Sequence, residues 1–174
     1  MDLKAHIRDV PDFPKEGIVF KDVTTLLASP EASQFVWDTW EKQFRGNGIT
    51  AVVGIESRGF IFGAPLADRL KIPFVPVRKP GKLPAKTIRR EYALEYGTDC
   101  VEIHADALKA GDRVVVIDDL LATGGTAAAT GELVKELGAE VMEMAFVIEL
   151  SFLKARATKL SSYRVSSLVQ YDSE

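Results

Sequence analysis

The 174-residue chain has one cysteine, Cys100, and two histidines, His6 and His104. A single thiol cannot close an intrachain disulfide, which excludes a disulfide-stapled secreted scaffold. The histidines lack metal-ligand spacing, and no Ser/His/Asp or Cys/His set accompanies them. No apolar run approaches the ~18 residues of a membrane span, and Met1-Asp2-Leu3-Lys4 opens no signal-like stretch. The expectation is a cytoplasmic protein with no membrane partner. Positive charge is not in excess either, the formal net charge being −3. Nucleic-acid affinity leans on Lys and Arg neutralising phosphates, so no nucleic-acid partner is expected. Repeats and low-complexity tracts are absent.

What is present is the length of one domain, enough to bury a core without metals or disulfides. Pro11-Asp12-Phe13-Pro14 and Lys15-Glu16-Gly17 read as an ordered but irregular segment, followed by Ile18-Val19-Phe20 as a short strand or packed loop. Ser29-Pro30-Glu31 predicts a helix start, with an N-cap, a proline at the first position and an acid in the first turn. That helix sets Val36, Trp40 and Phe44 on one face before Gly46 and Gly48 stop it. Ala51 to Ile55 is a continuous apolar run, the pattern of a strand buried on both faces. Glu56-Ser57-Arg58-Gly59 is a loop leading into a helix near Pro65 to Leu70. Ile72 to Val77 reads as a strand whose prolines suggest an edge. Tyr92, Leu94 and Tyr96 alternate as in a hairpin arm. Arg113 to Ile117 is the clearest central strand, followed by a helix ending at Gly138, a strand within Ala139 to Leu150 and a last one within Tyr163 to Tyr171. Strands alternating with helices imply a mainly parallel sheet flanked by helices, an α/β fold whose ligands bind beyond the carboxyl ends of the strands.

The loops after Ile55 and Ile117 both emerge there. In Asp118-Asp119-Leu120-Leu121-Ala122-Thr123-Gly124-Gly125-Thr126, glycines let backbone N–H groups approach an anion, and the hydroxyls of Thr123 and Thr126 add donors. The dipole of the following helix favours negative charge. Asp118 and Asp119 suit a ligand that also carries hydroxyls, or a hydrated Mg²⁺. The lysine of a Walker A loop is absent, and the spacing is not the dinucleotide turn. The alternative is an ordinary strand-to-helix loop with Asp and Thr as caps.

Residues 114–126 resemble the 5-phosphoribosyl 1-pyrophosphate signature of the type I phosphoribosyltransferases. Pro11-Asp12-Phe13-Pro14, Gly17 to Phe20, Glu56 to Phe60, Arg78 to Pro84 and Leu94 to Gly97 resemble segments of the adenine-using members, so the likeness covers nearly the whole chain. It implies the type I phosphoribosyltransferase fold over a single domain, residues 1–174. Residues 1–30 would form a small base-binding hood, and 78–97 a flexible catalytic loop. The implied reaction joins adenine to 5-phosphoribosyl 1-pyrophosphate, giving AMP and pyrophosphate. Its Mg²⁺ would be held mainly by the substrate's pyrophosphate and ribose hydroxyls rather than by the protein.

By the same resemblance, Ala122, Thr123, Gly124, Gly125 and Thr126 would hold the sugar's 5′-phosphate, with Asp118 and Asp119 against the ribose hydroxyls. Arg58 would offer a planar donor for the leaving pyrophosphate, in a loop where family members often carry a cis peptide between the positions matching Glu56 and Ser57; by itself it would read as a helix-start charge. Lys79 and Lys82 would meet pyrophosphate as the loop closes and excludes water, although such lysines alone read as a solvated basic face. Glu95 would act through the base, taking a share of its ring proton, and Tyr96 would help order the closed loop. Val19, Phe20 and Lys21 align with the base-binding segment, where Phe20 either stacks on the purine or is plain core. Lys21 stands where many relatives carry arginine. The 6-oxopurine enzymes usually carry aspartate at the place of Ala122, which favours adenine. A homodimer is implied as well. The competing readings are transfer to xanthine, orotate or uracil, a sugar-sensing regulator, and a bare nucleotide module. A regulator would need an added basic DNA-binding element, for which this chain leaves no room.

Overall fold

In the computed structural model, residues 1–94 and 96–173 are described. Numbered along the chain, the strands are β1 (Arg8–Val10), β2 (Phe20–Asp22), β3 (Ala51–Ile55), β4 (Phe74–Val77), β5 (Thr87–Ala93), β6 (Thr98–His104), β7 (Arg113–Leu121), β8 (Glu140–Leu150) and β9 (Val165–Tyr171). The helices are α1 (Thr24–Leu27), α2 (Pro30–Phe44), α3 (Arg58–Leu70) and α4 (Gly125–Glu136). Five strands form one sheet in the order β4-β3-β7-β8-β9, each parallel to its neighbour.

The continuous apolar runs explain the middle of that sheet. Every residue of β3 is buried, and Val114 to Ile117 of β7 have no exposed surface. Side chains alternate between faces. Val115 and Ile117 pack with Trp40, Phe62 and Leu66 of α2 and α3; Val114 and Val116 pack with Leu133 and Val134 of α4. Helices therefore cover both faces, as two-sided burial demands. Pro73 and Pro76 put β4 at the sheet edge, the place where missing N–H donors do least harm.

Local chemistry sets α2. The Ser29 hydroxyl accepts a bond from the Ala32 N–H at 3.3 Å, and Pro30 takes the first position. Val36, Trp40 and Phe44 then form the buried stripe, with the Trp40 and Phe62 rings edge to face at 6.2 Å.

Two elements depart from the sequence expectations. Helix α3 begins at Arg58 and carries Pro65 in its interior. The carbonyl that Pro65 leaves without a partner belongs to Ile61, a residue 44% exposed, so water can serve it. Strand β7 continues past Ile117 to Leu121, because β8 is long enough to pair with Asp118, Leu120 and Leu121. The acidic pair thus belongs to the strand, not to the loop after it. Two antiparallel pairs complete the chain. Strands β1 and β2 form a short ribbon on either side of the irregular segment Pro11 to Gly17, and β5 pairs with β6, whose Val101 and Ile103 join the core.

Trp40→Ala is expected to cost about 3–5 kcal/mol by the cavity it leaves between α2, α3 and the sheet. Urea unfolding followed by tyrosine fluorescence checks this, and a loss below about 1 kcal/mol would contradict the packing described.

Candidate active site

From β3 the chain crosses to β4 on one side, and later returns to β7 on the other. The carboxyl ends of β3 and β7 therefore diverge at the topological switch of the sheet, where open α/β folds take ligands. The Glu56–Ser57 peptide after β3 is cis, and Arg58 opens α3 directly behind it. At Gly59, a Cβ would lie 2.7 Å from the Ile117 carbonyl oxygen and 3.0 Å from an Asp118 carboxylate oxygen. The missing side chain lets the start of α3 touch the end of β7.

After β7, Gly124 turns the chain with φ of 81° and α4 starts at Gly125. The first N–H groups of a helix have no intrahelical partner, so they face whatever occupies the loop. Asp118, Leu120 and the run Leu121 to Ala127 line a cavity of about 90 Å³ there with Phe146. That is about three water volumes at ~30 Å³ each, room for a phosphate group.

Beside this cavity the charges are uneven. Asp119, 4% exposed, forms an ion pair with the Arg58 guanidinium. The Asp118 carboxylate accepts the Asp119 N–H at 2.9 Å. Burial raises the Asp118 pKa well above its ordinary value, and the charge of Asp119 raises it further. Burial alone would weaken the protonated form of Arg58, but the facing Asp119 outweighs it and holds the guanidinium more firmly charged. That guanidinium lies 5.6 Å from the Phe20 ring centre, and Phe20 meets Phe13 edge to face at 5.2 Å. The ribbon of β1 and β2, the start of α3 and the end of β7 thus converge on one point.

The basic segment after β4 is organised by an acid to which sequence reasoning gave no role. Glu56 accepts the Lys79 N–H at 2.8 Å and Arg78 Nε at 3.2 Å, and pairs with the Lys82 ammonium. Burial works against the Glu56 carboxylate, yet these donors hold its pKa below the usual value. The Lys79 ammonium pairs with Asp99 and donates to the Tyr92 hydroxyl at 2.8 Å. Thr126, in the first turn of α4, reaches the same hydroxyl at 3.0 Å. Tyr92 entered the sequence analysis only as part of an alternation, and Asp99 not at all; its pairing with Tyr92 is a matter of register across β5 and β6.

Other candidates stand apart. Val19 is half-buried just before β2, and the neighbouring Lys21 sends its ammonium away from Phe20, to Asp9 at 2.9 Å and over the Tyr171 ring at 4.4 Å. Tyr96 is 82% exposed at the turn between β5 and β6. Glu95 lies outside the described residues.

A helix start open to an anion, beside carboxylates that suit sugar hydroxyls, is what transfer of a phosphorylated ribose requires, and likeness to known proteins points the same way. The family model of the phosphoribosyl transferase domain matches residues 22–172. An adenine phosphoribosyltransferase of Acaryochloris marina is 57% identical over 171 residues, covering 98% of this chain and 100% of that protein. The crystal structure of adenine phosphoribosyltransferase from Thermoanaerobacter pseudethanolicus is 50% identical with a TM-score of 0.94, over 98% of each chain. The Saccharomyces cerevisiae enzyme, solved with adenine and an imino-altritol bisphosphate, is 45% identical with a TM-score of 0.90, over 96% of each chain. The chain belongs to the phosphoribosyltransferase family, in its adenine phosphoribosyltransferase branch.

The acidic pair has a measurable consequence. A carboxyl whose folded pKa lies above its unfolded value makes the folded state bind the proton more tightly, so stability falls as pH rises from the unfolded value towards the folded one. Asp118→Asn removes that loss. The ligand-free variant is expected to be more stable than the parent at pH 7, with the gap shrinking towards pH 4. Denaturant titrations at both pH values check it, and a gap independent of pH would contradict the assignment.

Proposed function

We propose that this chain transfers the 5-phosphoribosyl group of 5-phosphoribosyl 1-pyrophosphate to N9 of adenine, releasing AMP and pyrophosphate in purine salvage. The observation that carries the proposal is the meeting of Phe20, Arg58 and Asp119 beside the phosphate-sized cavity. It offers an aromatic face for a base, a guanidinium for pyrophosphate and a carboxylate for ribose within one switch-point crevice.

In this reading the first-turn amides of α4 and the hydroxyls of Thr123 and Thr126 hold the 5′-phosphate, with Ala122, Gly124 and Gly125 leaving room for it. Asp118 and Asp119 accept from the ribose hydroxyls. They also stabilise C1′ as its bond to pyrophosphate breaks and the sugar gains positive charge. Arg58, Lys79 and Lys82 receive the leaving group. Phe20 stacks on the purine and the Val19 and Lys21 backbone reads its edge, while Glu95 takes up part of the ring proton as N9 bonds to C1′. Tyr96 orders the closed loop over residues 78–97, with residues 1–30 as the hood. Ala122 offers no carboxylate to a 6-oxopurine.

Among the described residues no three His, Cys, Asp or Glu side chains group as a metal cage. Two carboxylates beside a phosphate site nevertheless suit Mg²⁺, which keeps several waters and takes one or two carboxylates together with substrate oxygens. Bound with the sugar, that ion would neutralise pyrophosphate charge. The same proposal includes a homodimer working in the cytoplasm, and no helix among the described residues is long and apolar enough to cross a membrane.

The test is a base screen with purified protein, 5-phosphoribosyl 1-pyrophosphate and Mg²⁺, following nucleotide and pyrophosphate. AMP from adenine, with no nucleotide from hypoxanthine, guanine, xanthine, orotate or uracil, is the expected result. Binding of the sugar with no base converted would replace the enzyme by a sensor. In the active enzyme, Glu95→Ala is expected to lower kcat about 100-fold, the low end of general acid–base effects. Arg58→Ala is expected to lower kcat/KM about 10–100-fold, the scale of lost charged hydrogen bonds. Steady-state kinetics with adenine and the sugar varied in turn checks both.

A further inference from the structure

Tyr92 stands between two parts of the proposed site. Its ring lies against the start of α4, where a Cβ at Gly125 would be 3.0 Å from Tyr92 Cδ2. Its hydroxyl accepts from Thr126 Oγ1 at 3.0 Å and from Lys79 Nζ at 2.8 Å, and donates to Asp99 Oδ2 at 2.9 Å. A phenol has one proton to give and lone pairs for two donors, so its capacity is filled. Asp99 faces Tyr92 across the β5–β6 pairing and travels with it.

The arm made by β5 and β6 is held differently along its length. At its root, Arg90 pairs with Glu136 of α4 at 2.7 Å, and Val101 and Ile103 sit in the core. Beyond Arg90, the described polar ties to the rest of the site run through Tyr92 and Asp99. The Lys79 backbone is pinned separately, by its N–H to Glu56. Withdrawal of the distal arm would therefore take both acceptors from the Lys79 ammonium and leave the lysine itself in place.

A hydroxyl carries one proton, so Thr126 cannot donate to Tyr92 and to a phosphate oxygen at once. Bonds to an ionised acceptor are roughly twice as strong as neutral ones, so phosphate wins that competition. We infer that Tyr92 is a positioning residue whose hydroxyl latches the distal arm to the phosphate loop until the sugar's 5′-phosphate captures Thr126, and that the arm's release frees Lys79 for pyrophosphate. The inference rests on the function proposed above. It adds an order of events, in which occupation of the phosphate loop precedes arming of the lysine.

The experiment uses the full chain and ribose 5-phosphate, which carries the 5′-phosphate without pyrophosphate. In the parent protein, ribose 5-phosphate is expected to speed amide hydrogen exchange over residues 92–99. Tyr92→Phe keeps the ring against Gly125 but removes the latch. It is expected to exchange fast over 92–99 without ligand, and to bind ribose 5-phosphate about three- to tenfold tighter by calorimetry, the range of one net hydrogen bond. Its KM for the activated sugar is expected to fall accordingly, a change that a loss of general stability would not produce. Asp99→Asn leaves Thr126 its partner but weakens the hold on Lys79. It is expected to speed exchange over 92–99 and to raise ribose 5-phosphate affinity, by less than Tyr92→Phe does, and it serves if Tyr92→Phe folds poorly. Unchanged or weaker binding by Tyr92→Phe, or exchange in the parent that ignores ribose 5-phosphate, would overturn the latch while the base screen still stood. A parent protein that fails to bind ribose 5-phosphate at all would overturn the proposed function, and the latch with it.

Discussion

Parallel pairing of β3 with β7 decides where every polar group of the site can stand. Val52 lies beside Val115 and Gly54 beside Ile117, so β3 ends level with Asp118 while β7 runs on to Leu121, and the loops that follow leave the same edge of the sheet. Because the chain leaves β3 towards one edge and comes back on the other side, those loops part and open a crevice between them. The glycine at position 59 then allows α3 to start against the last turn of backbone in β7. With any larger side chain the guanidinium of Arg58 would be pushed off Asp119, and the convergence with Phe20 would be lost.

Electrostatics at this crevice is left unfinished by the protein. Two adjacent carboxylates at the end of a buried strand have one close guanidinium between them, and burial drives Asp118 towards its protonated form. Two other acids are well matched: Glu56 gathers two side-chain cations and a backbone donor, and Glu149 is held by Arg156 at 2.5 Å and by Ser167 at 2.6 Å. The imbalance in this crevice suits a ligand that brings hydroxyl donors, a cation or developing positive charge. Stability given up at Asp118 is the counterpart of a site prepared for charge that arrives later.

Much of this was legible in the sequence where the physics is local. A serine, a proline and an acid in a row start a helix by their own hydrogen bonds and fixed φ, and they do so at Ser29. Val114 to Ile117 could hardly be anything but a strand covered on both sides. The Gly-Gly-Thr run announced a helix start able to take an anion. What escaped depends on register and on partners far along the chain. Strand β7 ends at Leu121 rather than Ile117 because β8 extends beside it, which no property of Asp118 reveals. Asp99 matters through standing opposite Tyr92, and register is set by the whole arm. Glu56 drew no attention because its partners come more than a turn of chain later, on the far side of β4. The divergence of Phe20 and Lys21 was within reach, since neighbours on a strand point to opposite faces.

That divergence ties the two ends of the chain together. The Lys21 ammonium, nearly enclosed, sits between Asp9 of β1 and the ring of Tyr171, and the Lys4 ammonium lies over the same ring at 4.9 Å. The ribbon that carries Phe20 is thereby clamped to β9, a strand at the sheet edge that follows the others in sequence. During synthesis the ribbon has Phe13 and Arg58 beside Phe20 first, and gains the Tyr171 contact only once β9 has been made. A nascent chain can therefore form the turn after β7 before the clamp behind Phe20 exists.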